Sequence, residues 1–319
     1  MENDLRPKTF AEYIGQKKII STLKLFVEGV KKRGYPSEHL LFYGPSGIGK
    51  TTLANVIAFE LKSEIKITSG AVLTKGGDLA AILTNLKNND VLFIDEIHRL
   101  PKSVEELLYP VMEDYHLDII IGKGPSARTV RLPVPKITII GATTRLALLS
   151  APLRNRFGLI LRLDYYEIDD LTKIIKRTCQ LYQLPIDDQA IVEISRRARG
   201  TPRIANHLVK RVRDFYDSRR KKKKIDVETI KELFDMLEID EFGLNTIDLK
   251  YLKIIAKRFH NQPVGLDTIS YSLSEDKKTI EEFIEPYLLR LGLIKKTTRG
   301  RILTIKGLKH LGIISNSML

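Results

Sequence analysis

The stretch "HLLFYGPSGIGKTTLANVI", His39 to Ile57, narrows the fold more than any other part of this chain. An apolar run is interrupted by Gly44, Pro45, Gly47 and Gly49, and Lys50, Thr51 and Thr52 then open a helical pattern. The octet "GPSGIGKT" fits G-x-x-x-x-G-K-[ST]. Its glycines let backbone N–H groups turn inward without side-chain obstruction. Those groups, and the helix N-terminus behind them, attract phosphates. The spacing predicts a nucleotide site, with Lys50 reaching the β- and γ-phosphates and the Thr51 hydroxyl ligating Mg²⁺.

A loop of this kind needs a strand before it and a helix after it. "HLLFYG", "IKITSG", "VLFIDE", "ITIIGATT" and "LILRL" read as short buried strands. "KTTLANVIAFEL", "GDLAAILTNL" and "SVEELLYPVMED" read as helices between them. Such alternation predicts an α/β domain, a parallel sheet covered by helices.

Two further strand ends carry chemistry. "VLFIDEIHRL" runs into Asp95 and Glu96, where one carboxylate can hold Mg²⁺ and the next can polarise water. That pair favours a hydrolase, since a kinase must exclude water. "ITIIGATTR" ends on Thr143 and Thr144, and which of the two hydroxyls senses phosphate stays open. "SAPLRNRFG" follows, with Arg154 and Arg156 flanking a loop that a neighbouring subunit could present to the nucleotide. An arginine given in trans speeds phosphoryl transfer by roughly 10³–10⁵.

From Tyr165 to about Leu237 only helical periodicity remains, which predicts a small all-helical domain. From about Gly243 a helix, a Pro/Gly break and further helices run into two β-like pieces around "TTRGR". That order suggests a winged helix. The segment "LDIIIGKGPSARTVRLPVP", Leu117 to Pro135, reads as a hairpin whose apolar first strand suggests a partner. The run "RRKKKK", Arg219 to Lys224, reads as a solvated helix end or a nucleic-acid contact.

With 319 residues the chain is long enough for two or three domains. Its net charge of +14 suggests a polyanionic partner. The bias is local: no Asp or Glu follows Glu285, whereas Arg290, Lys295, Lys296, Arg299, Arg301, Lys306 and Lys309 all do. No apolar run approaches the ~18–20 residues of a membrane span, and the N-terminus does not read as a signal peptide. A cytoplasmic protein is expected. Cys179 is the only cysteine, so an intrachain disulfide and a cysteine-cluster metal site are excluded.

The phosphate loop, "DEIHR", "GATTR", "APLRNRFG" and "RGTPRIANHL" occur in this order, and together they resemble the RuvB family of AAA+ ATPases. The resemblance runs nearly end to end. It implies an ATP hydrolase acting on DNA, a translocase that drives branch migration of Holliday junctions in recombination and repair. It implies ATP and Mg²⁺ as ligands, Holliday-junction duplex arms and RuvA as partners, and a hexameric ring; a RuvC-type resolvase is left open. It implies a large AAA+ domain over 1–166, a helical lid over 167–239 and a winged-helix DNA-binding domain over 240–319.

Site roles follow position by position from that resemblance. Leu5, Arg6, Tyr13 and Ile14 would pack around the adenine, and Gly47, Gly49, Lys50, Thr51 and Thr52 would cradle phosphate. Asp95 and Glu96 match the Walker B pair, with Thr51 and Asp95 on the metal. Glu113, Asp114 and Tyr115 would line the nucleotide pocket, and Thr143 would be sensor 1. Arg156 matches the arginine finger, Tyr166 would approach the base, and Arg203 of "GTPR" matches sensor 2. Lys296, Arg299 and Arg301 would contact duplex phosphates on the wing, and the hairpin near 117–135 would dock on RuvA. Ser46 stands where the family usually has a second proline.

Overall fold

The five apolar runs become the strands of one parallel sheet. In the computed structural model, which describes residues 5–36, 38–121, 128–219 and 224–314, the chain opens with α1 (Lys17–Arg33), β1 (Leu40–Tyr43), α2 (Lys50–Leu61), β2 (Ile65–Ser69), α3 (Gly76–Leu83), β3 (Val91–Asp95) and α4 (Lys102–Asp114). It continues through β4 (His116–Ile121), β5 (Arg128–Pro133), β6 (Thr138–Thr143), α5 (Ala151–Arg154), β7 (Leu159–Arg162) and α6 (Ile168–Leu181). The strand order is β2-β3-β6-β1-β7, every pairing parallel. β1, β3 and β6 are buried almost throughout, as central strands covered on both faces must be. The register sets Tyr43 beside Thr143 and Ile94 beside Gly141. The carboxyl ends of β3, β6 and β1 therefore adjoin, where open α/β sheets bind ligands.

β4 and β5 form the expected hairpin, with His116 facing Pro133 and Ile121 facing Arg128. Asp118 meets Arg131 across it at 3.0 Å, and Ile119 packs partly on the main core. The hairpin tip, 122–127, and the side chains of 120 and 121 lie outside the described residues, as do 220–223 of the basic run.

The remaining chain adds α7 (Asp188–Arg197), α8 (Pro202–Ser218), α9 (Val227–Met236), α10 (Thr246–Lys253), α11 (Leu266–Leu273), α12 (Lys277–Thr279), α13 (Glu285–Arg290), β8 (Ile294–Thr297), β9 (Gly300–Leu303) and α14 (Ile305–His310). β8 and β9 pair antiparallel, and a core of Tyr251, Leu252, Ile255, Ile269, Leu288 and Leu303 gathers α10, α11 and α13 around the hairpin. Gly300, at φ 140°, is required there: a Cβ would lie 2.3 Å from the Val264 carbonyl oxygen.

Two compact units result. One takes in the chain up to Tyr182 together with Gly200–His207; the other takes in Gln183–Arg199 and the chain from Leu208 onward. Compactness thus divides the helical segment 167–239 between them. α6 and the first turn of α8 go with the sheet, because they wall the pocket described next.

Candidate active site

Three glycines shape the loop after β1, with φ 142° at Gly44, 78° at Gly47 and 99° at Gly49. A Cβ on Gly44 would lie 2.1 Å from the Leu163 carbonyl oxygen, so no other residue fits. Gly49 is the cap of α2 and brings no side chain to it, which presents the helix N-terminus to an anion. Thr51 and Thr52 stand in that first turn. Lys50 is 7% exposed, and its ammonium donates to the Gly44 carbonyl at 2.9 Å and the Pro45 carbonyl at 2.8 Å. Burial lowers its pKa; Glu96 and Asp95 pull it back up, and Arg203 adds to the lowering. The four charged groups share one small space.

Arg203 reaches that space because "GTPR" folds back along the loop. Its backbone N–H donates to the Gly47 carbonyl at 3.2 Å, and its guanidinium donates to Ser46 Oγ at 3.0 Å. Ser46, which stands where the resemblance expects a second proline, thus accepts a hydrogen bond from Arg203, the residue expected as sensor 2.

Asp95 ends β3 and accepts the Glu96 N–H at 3.0 Å. Glu96 then takes a left-handed conformation, φ 45°, which turns its carboxylate toward the end of β6. There its Oε2 accepts the Thr144 hydroxyl at 3.2 Å and lies 3.2 Å from His98 Nδ1. Thr143 is fully buried, and its Oγ1 accepts the Arg145 N–H at 2.9 Å and lies 2.9 Å from the same Nδ1. Of the two threonines, Thr144 is the exposed one that touches Glu96. Burial holds the His98 pKa below its ordinary value despite Glu96, so the ring is neutral at neutral pH.

A cleft beside Gly49 collects Leu5, Arg6, Tyr13, Ile14 and Tyr166, all expected around the base, together with Thr52, expected in the phosphate cradle. Tyr166 donates to the Tyr13 hydroxyl at 3.2 Å, and burial pushes its pKa up to about 12. The far wall was missed by sequence reasoning: Ile174, Arg177 and Thr178 from α6, with Pro202 and Asn206 from α8. Their helical spacing reads as an ordinary amphipathic face. Arg177 pairs with Glu12 at 3.0 Å, and Thr178 donates to the Asn206 side-chain carbonyl at 2.9 Å.

Glu113 and Arg156 do not line this cleft; they meet each other elsewhere in the unit. Arg156 Nε lies 3.2 Å from Glu113 Oε1, its Nη1 donates to the Pro152 carbonyl at 2.8 Å, and its guanidinium covers the Tyr109 ring at 4.2 Å. Asp114 and Tyr115 follow Glu113 at the end of α4, and neither lines the cleft.

Among the described residues no three His, Cys, Asp or Glu side chains gather to hold a metal. Thr51 and Asp95 offer one hydroxyl and one carboxylate. That set does not bind a metal alone, but it fits Mg²⁺, which keeps waters and takes oxygens from substrate phosphates.

On the wing, Lys296 stands directly opposite Arg301. Two like charges so placed repel, and Glu285 resolves the conflict. Its carboxylate, fully buried, takes Lys296 Nζ at 2.6 Å and Arg301 Nε at 2.7 Å, and accepts the Tyr251 hydroxyl at 3.0 Å. Burial by itself would raise the Glu285 pKa, yet the two cations hold it below the usual range. Arg299 is exposed at the turn.

A phosphate loop, an acidic pair ending a strand two places along the same sheet and an arginine from a helical lid define a P-loop ATPase of the AAA+ class. Family models agree in detail: the Holliday junction DNA helicase RuvB P-loop domain matches residues 5–163, the RuvB AAA lid domain 166–240 and the RuvB C-terminal winged helix domain 241–312. The chain belongs to the RuvB family. It is 52% identical over 309 residues to the Holliday junction branch migration complex subunit RuvB of Clostridium kluyveri, an alignment covering 97% of this chain and 88% of that protein. It is also similar to the solved Thermotoga maritima RuvB Holliday junction branch migration motor, at 46% identity and TM-score 0.84, covering 98% of this chain and 99% of the other.

Proposed function

We propose that this chain is the ATP-driven motor that moves Holliday junctions together with RuvA in recombination and DNA repair. The observation that carries this reading is the convergence on one phosphate loop of Lys50, which donates to the Gly44 and Pro45 carbonyls, and Arg203, which bonds Ser46 and Gly47, at the same end of the sheet as the Asp95–Glu96 pair that closes β3. Lys50 and the first turn of α2 bind the phosphates, while Tyr13, Tyr166 and the α6 wall take the base. Thr51 and Asp95 hold Mg²⁺, which would neutralise phosphate charge. Glu96 accepts a proton from the attacking water, and Arg203 senses the γ-phosphate.

Arg156 acts on the nucleotide of a neighbouring subunit, which calls for an oligomer, a hexameric ring on DNA. The three segments 1–166, 167–239 and 240–319 serve as ATPase, lid and DNA-binding domains. Lys296, Arg299 and Arg301 belong to a wing that grips duplex phosphates without reading bases, as a motor passing any sequence requires. The hairpin 117–135 docks on RuvA. The cytoplasm is the site of action; no described helix is long and apolar enough to cross a membrane.

A synthetic four-way junction with RuvA and ATP tests this reading. ATP-dependent arm exchange is expected from the parent, and none from Glu96→Gln. A folded, assembled parent that moves no arms would overturn it.

A further inference from the structure

We infer that Arg199 is a positioning residue of the motor: its guanidinium fastens the wing-bearing helices to the segment that carries Arg203, so that a shift at the phosphate loop is passed to the duplex grip. The inference rests on the motor function and the sensor role proposed above, and goes beyond them.

Arg199 lies in the turn between α7 and α8, where the chain crosses from one compact unit to the other. It takes φ 51° and Gly200 takes φ 71°, two left-handed residues in succession. A residue with a side chain enters that region rarely, and such positions cluster at functional sites. The side chain meets three elements at once. Nε donates to the Gly243 carbonyl at 2.8 Å, Nη2 donates to Asp248 Oδ2 on α10, and the guanidinium covers the Tyr287 ring of α13 at 4.7 Å. Asp248 is buried, and its carboxylate also accepts the Asn245 N–H at 3.0 Å. Tyr287 is buried too, and its hydroxyl donates to the Phe242 carbonyl at 2.5 Å. The backbones approach as well: a Cβ on Gly243 would lie 2.6 Å from the Arg197 carbonyl oxygen.

The chemistry suits a fastener. A guanidinium is planar and always charged; its edge donates in fixed directions while its face stacks on a ring. A lysine would meet the carboxylate alone. Because that carboxylate is buried, salt screens the pair little. Short steps lead from Arg199 to both ends of the motor. Four residues on stands Arg203, whose N–H donates to the Gly47 carbonyl at 3.2 Å and whose guanidinium donates to Ser46 Oγ at 3.0 Å. In the other direction, α13 carries Tyr287 two residues after Glu285, and Glu285 takes Lys296 at 2.6 Å and Arg301 at 2.7 Å.

The test compares the full-chain parent with Arg199→Ala and the double variant Arg199→Ala/Asp248→Asn on a synthetic four-way junction with RuvA and ATP. The double variant leaves no unpaired charge buried on α10 and keeps an oxygen for the Asn245 N–H, which guards against loss of the fold. ATP turnover, duplex affinity and arm exchange are read on the same preparations. In both variants turnover and affinity should stay at the parent level. Arm exchange per ATP hydrolysed should fall roughly 3–30-fold, the range that changes along a coupling path produce. A merely structural role would lower turnover and exchange together and leave their ratio intact. A parent-like ratio in the double variant, or a weakened duplex affinity that accounts for the loss, would overturn the inference. A parent that hydrolyses ATP yet moves no arms would instead overturn the motor reading, and this inference with it.

Discussion

Arg156 and Glu113 form an ion pair within a single chain, Nε to Oε1 at 3.2 Å, over the face of Tyr109. The arginine proposed to act on a neighbour's nucleotide is therefore held by its own subunit, away from the cleft proposed for its own base. Arg156→Ala should lower ATPase by roughly 10³-fold or more, the worth of such an arginine, while binding of a fluorescent ADP analogue stays at the parent level. Mixing Arg156→Ala with Glu96→Gln protomers should restore part of the activity, because seams with an intact glutamate on one side and an intact arginine on the other re-form. A mixture as inactive as its components would place the arginine's action in cis.

The wing separates two roles that basic residues share. Arg301→Ala leaves the fully buried Glu285 short of its main partner, and removing one member of a buried pair costs about 3–5 kcal/mol. Calorimetry should show that loss in the variant. Arg299→Ala should leave the Tm unchanged and reduce the salt slope of duplex binding by about one. A stable Arg301→Ala protein would contradict the buried-pair account.

His39 supplies a pH dependence. It accepts the Ile139 N–H at 3.0 Å through Nδ1 and donates through Nε2 to the Met112 carbonyl at 3.0 Å, so both nitrogens are in use. Burial holds its pKa below the ordinary 6.5. The unfolded chain therefore takes up the proton first as pH falls, and stability declines below pH about 6.5 by at most ~1.4 kcal/mol per unit. Chemical denaturation from pH 7.5 to 5.5 should show the decline, and His39→Gln should flatten it.

Cys179 is buried, and burial pushes its thiol pKa up to about 12. Native protein at pH 8 should resist iodoacetamide, and denatured protein should react completely. The neutral thiol is favoured only in the fold, so its contribution to stability is present below pH 9 and is lost as pH rises toward 12. Rapid alkylation of the native protein would show that α6 opens readily.

Much of this was legible in the chain. A glycine-rich bend between apolar and helical runs, and an acidic pair closing another apolar run, depend on local patterns, and both reappear at the same end of one sheet, with β6 between them. What stayed hidden depends on contacts between distant positions. His98 reads as one polar residue after an acidic pair until β6 brings Thr143 to it. Glu113 stands one residue from Asp114 in sequence, yet its partner is Arg156. Nothing in the sequence separates Glu285 from Glu281 and Glu282 just before it, yet folding turns it inward against Lys296 and Arg301.

That inward turn has a practical outcome. Ionic strength weakens contacts exposed to solvent far more than sealed ones, and the carboxylate beneath the wing is fully enclosed. Raising the salt should make this protein let go of its track while the hand that held it keeps its form, ready to close again once the ions are diluted.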